Sequence, residues 1–142
     1  ESFKEDTKKR RSEGHGPDMK YDYGGLLTMT RFGAFLKTVL ASYHTHPSVL
    51  YNAAEKQGII TREDIETLTG ASLFLRQARN WVHLREMGLD DYLKGRQHNS
   101  VSDYNAIAPD LGLKPQSLQK KIKRNLEAVQ GVVERVIDGY RR

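Results

Sequence analysis

The 142-residue chain contains no cysteine. That excludes a disulfide framework, any thiolate metal site and every mechanism with a cysteine nucleophile, and it fits a reducing, cytoplasmic setting. No apolar run approaches the ~20 residues needed to span a bilayer, so a membrane is not expected as a partner. The opening "ESFKEDTKKRR" has no signal-like apolar core and does not start with Met, which reads as a soluble piece of something longer. Alternating apolar and polar runs are also missing; only Ile59, Ile60 and a few short clusters hint at β structure.

The usual signatures of unaided chemistry are absent too. A Walker loop needs lysine followed by Ser or Thr after its last glycine, and a Rossmann turn needs three glycines behind a strand. Neither occurs. There is no Gly-x-Ser-x-Gly elbow. Nor is there an Asp-x-Asp pair to hold two metals around a transferred phosphate.

What is present is charge and helical periodicity. The formal net charge is +5, which raises nucleic acid as a partner class. Residues 114–142 account for all of it, with eight cations, from Lys114 to Arg142, against Glu127, Glu134 and Asp138. On a helix of that length such a run reads first as a solvated face.

A first helix is expected over about residues 2–12, broken at "EGHGP". The next starts after Gly25, carries Met29, Phe32, Leu36, Val39 or Leu40 and Tyr43 on one stripe, and ends at "HTHP". A short helix follows, with Ser48 as N-cap and Gly58 as its stop. Thr61 and Asp64 then open a long helix in near capping-box fashion. Its stripe is Ile65, Leu68, Ser72, Leu75 and Val82, widened by Leu73, Phe74, Trp81 and Leu84, as in the middle of a bundle. After a polar connection comes a short helix capped by Ser102 or Asp103 and stopped at Gly112, and Pro115 opens the last helix. There Leu118, Ile122, Leu126, Val129, Val133, Val136 and Tyr140 form a bundle seam. The expected fold is all-α, an up-and-down bundle of four to five main helices. Residues 1–17 read as a helix and linker from an upstream domain and 18–142 as the bundle.

Three constellations invite a site. His44 and His46 flank Thr45, but His15, His83 and His98 lack metal-ligand spacing, so loop histidines without a metal are expected. Glu63, Asp64 and Glu66 sit where a helix start favours acids anyway. Residues 103–125 have the grammar of a helix-turn-helix, with Gly112 as the turn and Gln116, Ser117, Gln119, Lys120, Lys123 and Arg124 facing DNA. Against that stand Pro109 and the length of the last helix, so DNA reading is the competing function and nucleic acid is not the expected partner.

The stretch "DMKYDYGGLLTMTRF", residues 18–32, raises the remaining question. On the residues alone, Gly24 and Gly25 are a hinge into a helix, with Asp18 and Lys20 displayed beside it. The stretch also resembles the Asp-Leu-Lys, Gly-Gly-Leu and Asp-Ile-Glu-Phe segment of glutamine synthetase adenylyltransferases and their uridylyltransferase relatives. Asp18, Met19 and Lys20 match the first part, and Gly24, Gly25 and Leu26 the second. The segment from His46-Pro47 into "FLRQARNWVHL", the stretch "GRQHNS", and the closing "YNAIAPDLGLKPQSLQKKIKRNLEAVQ" follow in the family's order.

The resemblance implies the helical domain that follows the nucleotidyltransferase domain (nucleotidyltransferase domain-2-like), with the catalytic carboxylates lying upstream. It places Asp18, Lys20, Gly24, Gly25 and Leu26 near nucleotide or substrate. It implies no cofactor for this chain, ATP and magnesium for the parent, and glutamine synthetase and the PII protein as partners alongside the upstream domain. Thr28 and Thr30, with Arg31 next, stand where the family has acids, a departure facing the expected nucleotide or metal region that bears on whether the parent is active.

Overall fold

A computed structural model describes residues 4, 5, 8, 9, 18–82 and 107–141. The break at "EGHGP", the histidines 15, 83 and 98, Leu84, "GRQHNS" and the Ser102 or Asp103 cap lie outside the described residues. So does most of the helix expected over 2–12, although Lys4, Glu5, Lys8 and Lys9 are helical.

The described residues are all-α, four helices packed together without a strand. They are α1 (Leu26–Leu40), α2 (Pro47–Lys56), α3 (Arg62–Val82) and α4 (Pro115–Arg141), with a single 3₁₀ turn at Ala108–Leu111 before α4. The most extensive helix contact is α3 against α4. Asp64 meets Arg135 and Phe74 meets Lys121, so the two helices run antiparallel. No described helix is long and apolar enough to cross a membrane.

The α4 seam buries Leu118, Ile122, Leu126, Val129, Val132, Val133 and Val136. It stops one turn earlier than the spacing suggests. Tyr140 is 51% exposed and meets the Phe35 ring edge-on, with centroids 5.5 Å apart. Across from it, α3 buries Asp64, Leu68, Ala71, Leu75, Ala78 and Val82. This corrects the expected stripe. Ala71 and Ala78 lie on the buried stripe, Ile65 and Ser72 move to the flanks, and Leu73 and Trp81 face outward at 70% and 38% exposure. The helix is therefore buried along one stripe and not surrounded.

Helix ends follow local chemistry. After α1, the Ala41 and Ser42 amides bond back to Thr38 and Lys37, with Ala41 in the left-handed region at φ 48°. The same closure recurs at Gly58 (φ 72°) and Gly112 (φ 67°), the two stops expected from sequence. Because Ala41 closes α1 six residues before Pro47, Tyr43 never joins the stripe and is 98% exposed. The α2 cap is His46 rather than Ser48: its Nδ1 accepts the Ser48 N–H at 3.3 Å, and Pro47 takes the first helical position.

Candidate functional site: the glycine turn and the cleft beside it

Residues 18–25 fold as a compact turn that feeds α1. The Asp18 carboxylate accepts the backbone N–H groups of Lys20 (2.9 Å) and Tyr21 (2.8 Å). Asp22 accepts the N–H of Asp18 at 2.9 Å. These are the side-chain-to-backbone bonds by which aspartates build turns. Both acids are nearly sealed, at 2% and 1% exposure. Asp18 is therefore not displayed beside the hinge, as the sequence suggests; its oxygens hold the loop together. Lys20 is half-buried, with its ammonium 4.9 Å from the centre of the Tyr21 ring.

The two glycines answer different demands. Gly24 has φ +92°, and a Cβ there would lie 2.0 Å from the carbonyl oxygen of Leu126 in α4. Gly25 is the N-cap of α1, where a Cβ would meet the carbonyl oxygens of Met19 at 2.7 Å and Asp22 at 2.9 Å. The hinge is thus a wedge, backbone packed against backbone. Two further bonds fix it. Gly24 N–H donates to Thr28 Oγ1 at 3.0 Å, and Gln130 Nε2 on α4 donates to the Tyr23 carbonyl at 2.6 Å.

Beside the wedge lies a cleft of ≈ 320 Å³ between α1 and α4. Phe32, Phe35, Val133 and Ile137 give it an apolar floor, while Arg31, Arg141 and Asp138 supply charge at its edges. Tyr23 closes one end. Burial pushes its hydroxyl up to about 12, and the Glu134 carboxylate, which accepts its hydrogen bond, pushes the same way. Lys4 reaches Glu134 at 2.6 Å, so that carboxylate holds the turn, α4 and the N-terminal helical residues together.

Of the residues singled out in the sequence, Asp18, Lys20, Gly24 and Gly25 form the turn without lining this cleft, and Leu26 lines a different groove. Thr28 and Thr30 also part company. Thr28 is buried, accepts the Gly24 N–H and borders the cleft. Thr30 is exposed, bonds back to the Leu26 carbonyl and faces the other groove. Arg31, noted in the sequence as the cation next to Thr30, does line the cleft, whereas Tyr23, Glu134 and Arg141 were not foreseen. Glu134 lies one turn beyond Gln130, but nothing in the local pattern of α4 says which turn will meet the residue 18–25 loop.

Residues 3–139, nearly the whole chain, match the family described as GlnD PII-uridylyltransferase. The chain belongs to that family. Within the resemblance read from the sequence, the match falls on the uridylyltransferase relatives rather than on the adenylyltransferases. No curated protein and no solved structure matches the chain. Among the described residues, no three His, Cys, Asp or Glu side chains gather as a metal-binding group. The GlnD family identity therefore rests on the match along the chain.

Proposed function

We propose that this chain is the non-catalytic helical domain of a GlnD-type, glutamine synthetase adenylyltransferase-like nucleotidyltransferase in nitrogen regulation. It braces the nucleotide site of an upstream domain and helps to recognise the protein substrate, PII or glutamine synthetase. The family match over residues 3–139 carries this reading. The engagement of the carboxylates supports it. Asp18 and Asp22 are bonded to backbone amides, Asp64 to Thr61 and Arg135, and Glu134 to Tyr23 and Lys4. A phosphoryl-transfer centre needs acids directed at metal and phosphate, whereas these hold the fold. In the parent, ATP or UTP and magnesium belong to the upstream domain, and the residue 18–26 wedge sets how the bundle meets it.

The test is nucleotidyl transfer. Incubated with magnesium, ATP and glutamine synthetase, or with magnesium, UTP and PII, the chain alone should incorporate no labelled nucleotide. Joined to a nucleotidyltransferase domain of the family it should support transfer, and the nucleotide used then names the substrate pair. Incorporation by the chain alone, abolished by substitutions within it, would overturn the reading.

A further inference from the structure

A second groove, of ≈ 330 Å³, opens between α1, α2 and α3 on a part of the bundle that the glycine turn does not use. Leu26, Met29 and Leu68 give it apolar walls. Leu73 stands at its edge with 70% of its surface in water. Leu73 is thus continuous with the apolar walls of the recess, and a contiguous apolar surface is what an interaction site offers, where a lone exposed leucine would not be.

The charge of the groove is one-sided. Arg76 and His46 line it, and no acid does. Arg76 lies on the exposed side of α3 and has no hydrogen bond or ion pair among the described residues. Two other surface arginines are engaged: Arg62 pairs with Glu55 at 2.8 Å and Arg135 with Asp64. Close by, Tyr51 lines the same groove and is 6% exposed. Burial raises the pKa of its hydroxyl while the Arg76 charge acts to lower it, which places the guanidinium within electrostatic reach of the phenol. A fork of donors and a phenol beside an apolar recess suit a carboxylate attached to something aliphatic.

We propose that the groove between α1, α2 and α3 is a docking site for an acidic amphipathic helix of a partner protein, seating a leucine-sized side chain against Met29 and Leu68 and a carboxylate on Arg76. Charge complementarity selects this occupant. An uncharged apolar cover would leave Arg76 desolvated and unpaired, and a basic one would be repelled by Arg76. The recess admits one or two anchors, and Leu73 at the rim extends contact along the helix, as in helix-in-groove recognition.

The test is fluorescence anisotropy on the 142-residue chain. One probe is a labelled amphipathic peptide of about four helical turns, with leucines at i, i+4 and i+7 and flanking glutamates. The other has lysine in place of every glutamate. The acidic probe should bind at least about tenfold tighter than the basic one, with the difference shrinking as salt rises. Arg76→Gln should bring the two probes within about twofold of each other, and Leu73→Asp should weaken the acidic probe at least about tenfold. Both positions are on the exposed side of α3, so the melting transition should be unchanged. Lys121→Gln, on α4, should leave binding as it was. Equal binding of the two probes, no binding of the acidic one, or loss with Lys121→Gln but not with Arg76→Gln would overturn the proposal. It would also fall if octanoate displaced the probe at comparable affinity, indicating a small-molecule site. Self-association abolished by Leu73→Asp would instead put a second copy in the groove, and would overturn it equally.

Discussion

The guanidinium of Arg135, near the end of α4, donates to Oδ1 of Asp64 in the first turn of α3, across 71 positions of sequence. Oδ2 of the same carboxylate accepts the Thr61 N–H at 2.8 Å, while Thr61 Oγ1 accepts the Asp64 N–H at 3.1 Å. One acid therefore closes a capping box and pins the antiparallel pair together. Burial by itself would raise its pKa, but the Thr61 and Arg135 hydrogen bonds outweigh that and hold it below the ordinary carboxylate value.

Acid should destabilise the protein through this residue. A folded-state pKa held below the unfolded one means stability that is present above the unfolded value, about 4, and is lost as pH falls through the folded one. Asp64→Ala should cost about 1–2 kcal/mol at neutral pH, as loss of a cap does. Arg135→Gln should cost less than about 1 kcal/mol, because Arg135 is half in solvent, at 54% exposure. Urea denaturation at pH 7 and pH 3 measures both, and Asp64→Ala should show a smaller difference between the two pH values than the parent.

Gly24→Ala should destabilise the fold by about 2–5 kcal/mol, combining left-handed strain with overpacking against the Leu126 carbonyl. The contrast is Gly131, an exposed mid-helix glycine of α4 where a Cβ would meet nothing within 4 Å. Gly131→Ala should stabilise by about 0.5–1 kcal/mol through helix propensity alone. Thermal melts of the two variants should move in opposite directions.

Leu75, fully buried at 0% exposure, should cost about 2–5 kcal/mol on truncation to alanine. Leu73, two residues away and 70% exposed, should change stability by no more than about 0.5 kcal/mol. Denaturant midpoints of Leu75→Ala and Leu73→Ala check the orientation of α3 directly, and equal losses would mean that its buried face is misplaced.

The basic face of α4 should act as a solvated surface. Lys120, Lys121, Lys123 and Arg124 are all exposed, and Lys121 rests 4.5 Å from the Phe74 ring centre. Duplex DNA should bind only at about 10⁻⁴ M, fall away with salt and show no preferred sequence. The buried seam from Leu118 to Val136 ties the helix lengthwise to its neighbours, leaving little of it free to enter a groove. Anisotropy against a randomised duplex pool at two salt concentrations measures this, and nanomolar selection of one site would establish a DNA reader instead.

Much of the fold was legible because its signals are local. The start of α1 after Gly25, the stops at Gly58 and Gly112, Pro115 opening α4 and the three- and four-residue spacing of its seam are all local features, the two stops being closed by bonds that reach back no more than five residues. The Thr61–Asp64 cap could be read in the same way. Errors arose where two local rules competed. Ala41 closed α1 in a conformation that favours glycine, and the stripe of α3 that begins at Asp64, which meets Arg135 of α4, and includes Ala71 and Ala78 won burial over the larger Leu73 and Trp81.

By itself, then, the sequence determined helix content, most helix limits and the family order of motifs, since each depends on neighbours along the chain. The tertiary structure decided which side chains turned inward. Asp18 became a buried turn-former, Thr28 and Thr30 were sent to different grooves, and Tyr23 was brought to Glu134. The physical reason lies in the pairing of the residue 18–25 loop with α4. The Gln130 amide reaches the Tyr23 carbonyl across 107 positions, and the Leu126 carbonyl leaves room only for a residue without Cβ at position 24. Such contacts are fixed by how whole helices pack, and no periodicity within either segment encodes them.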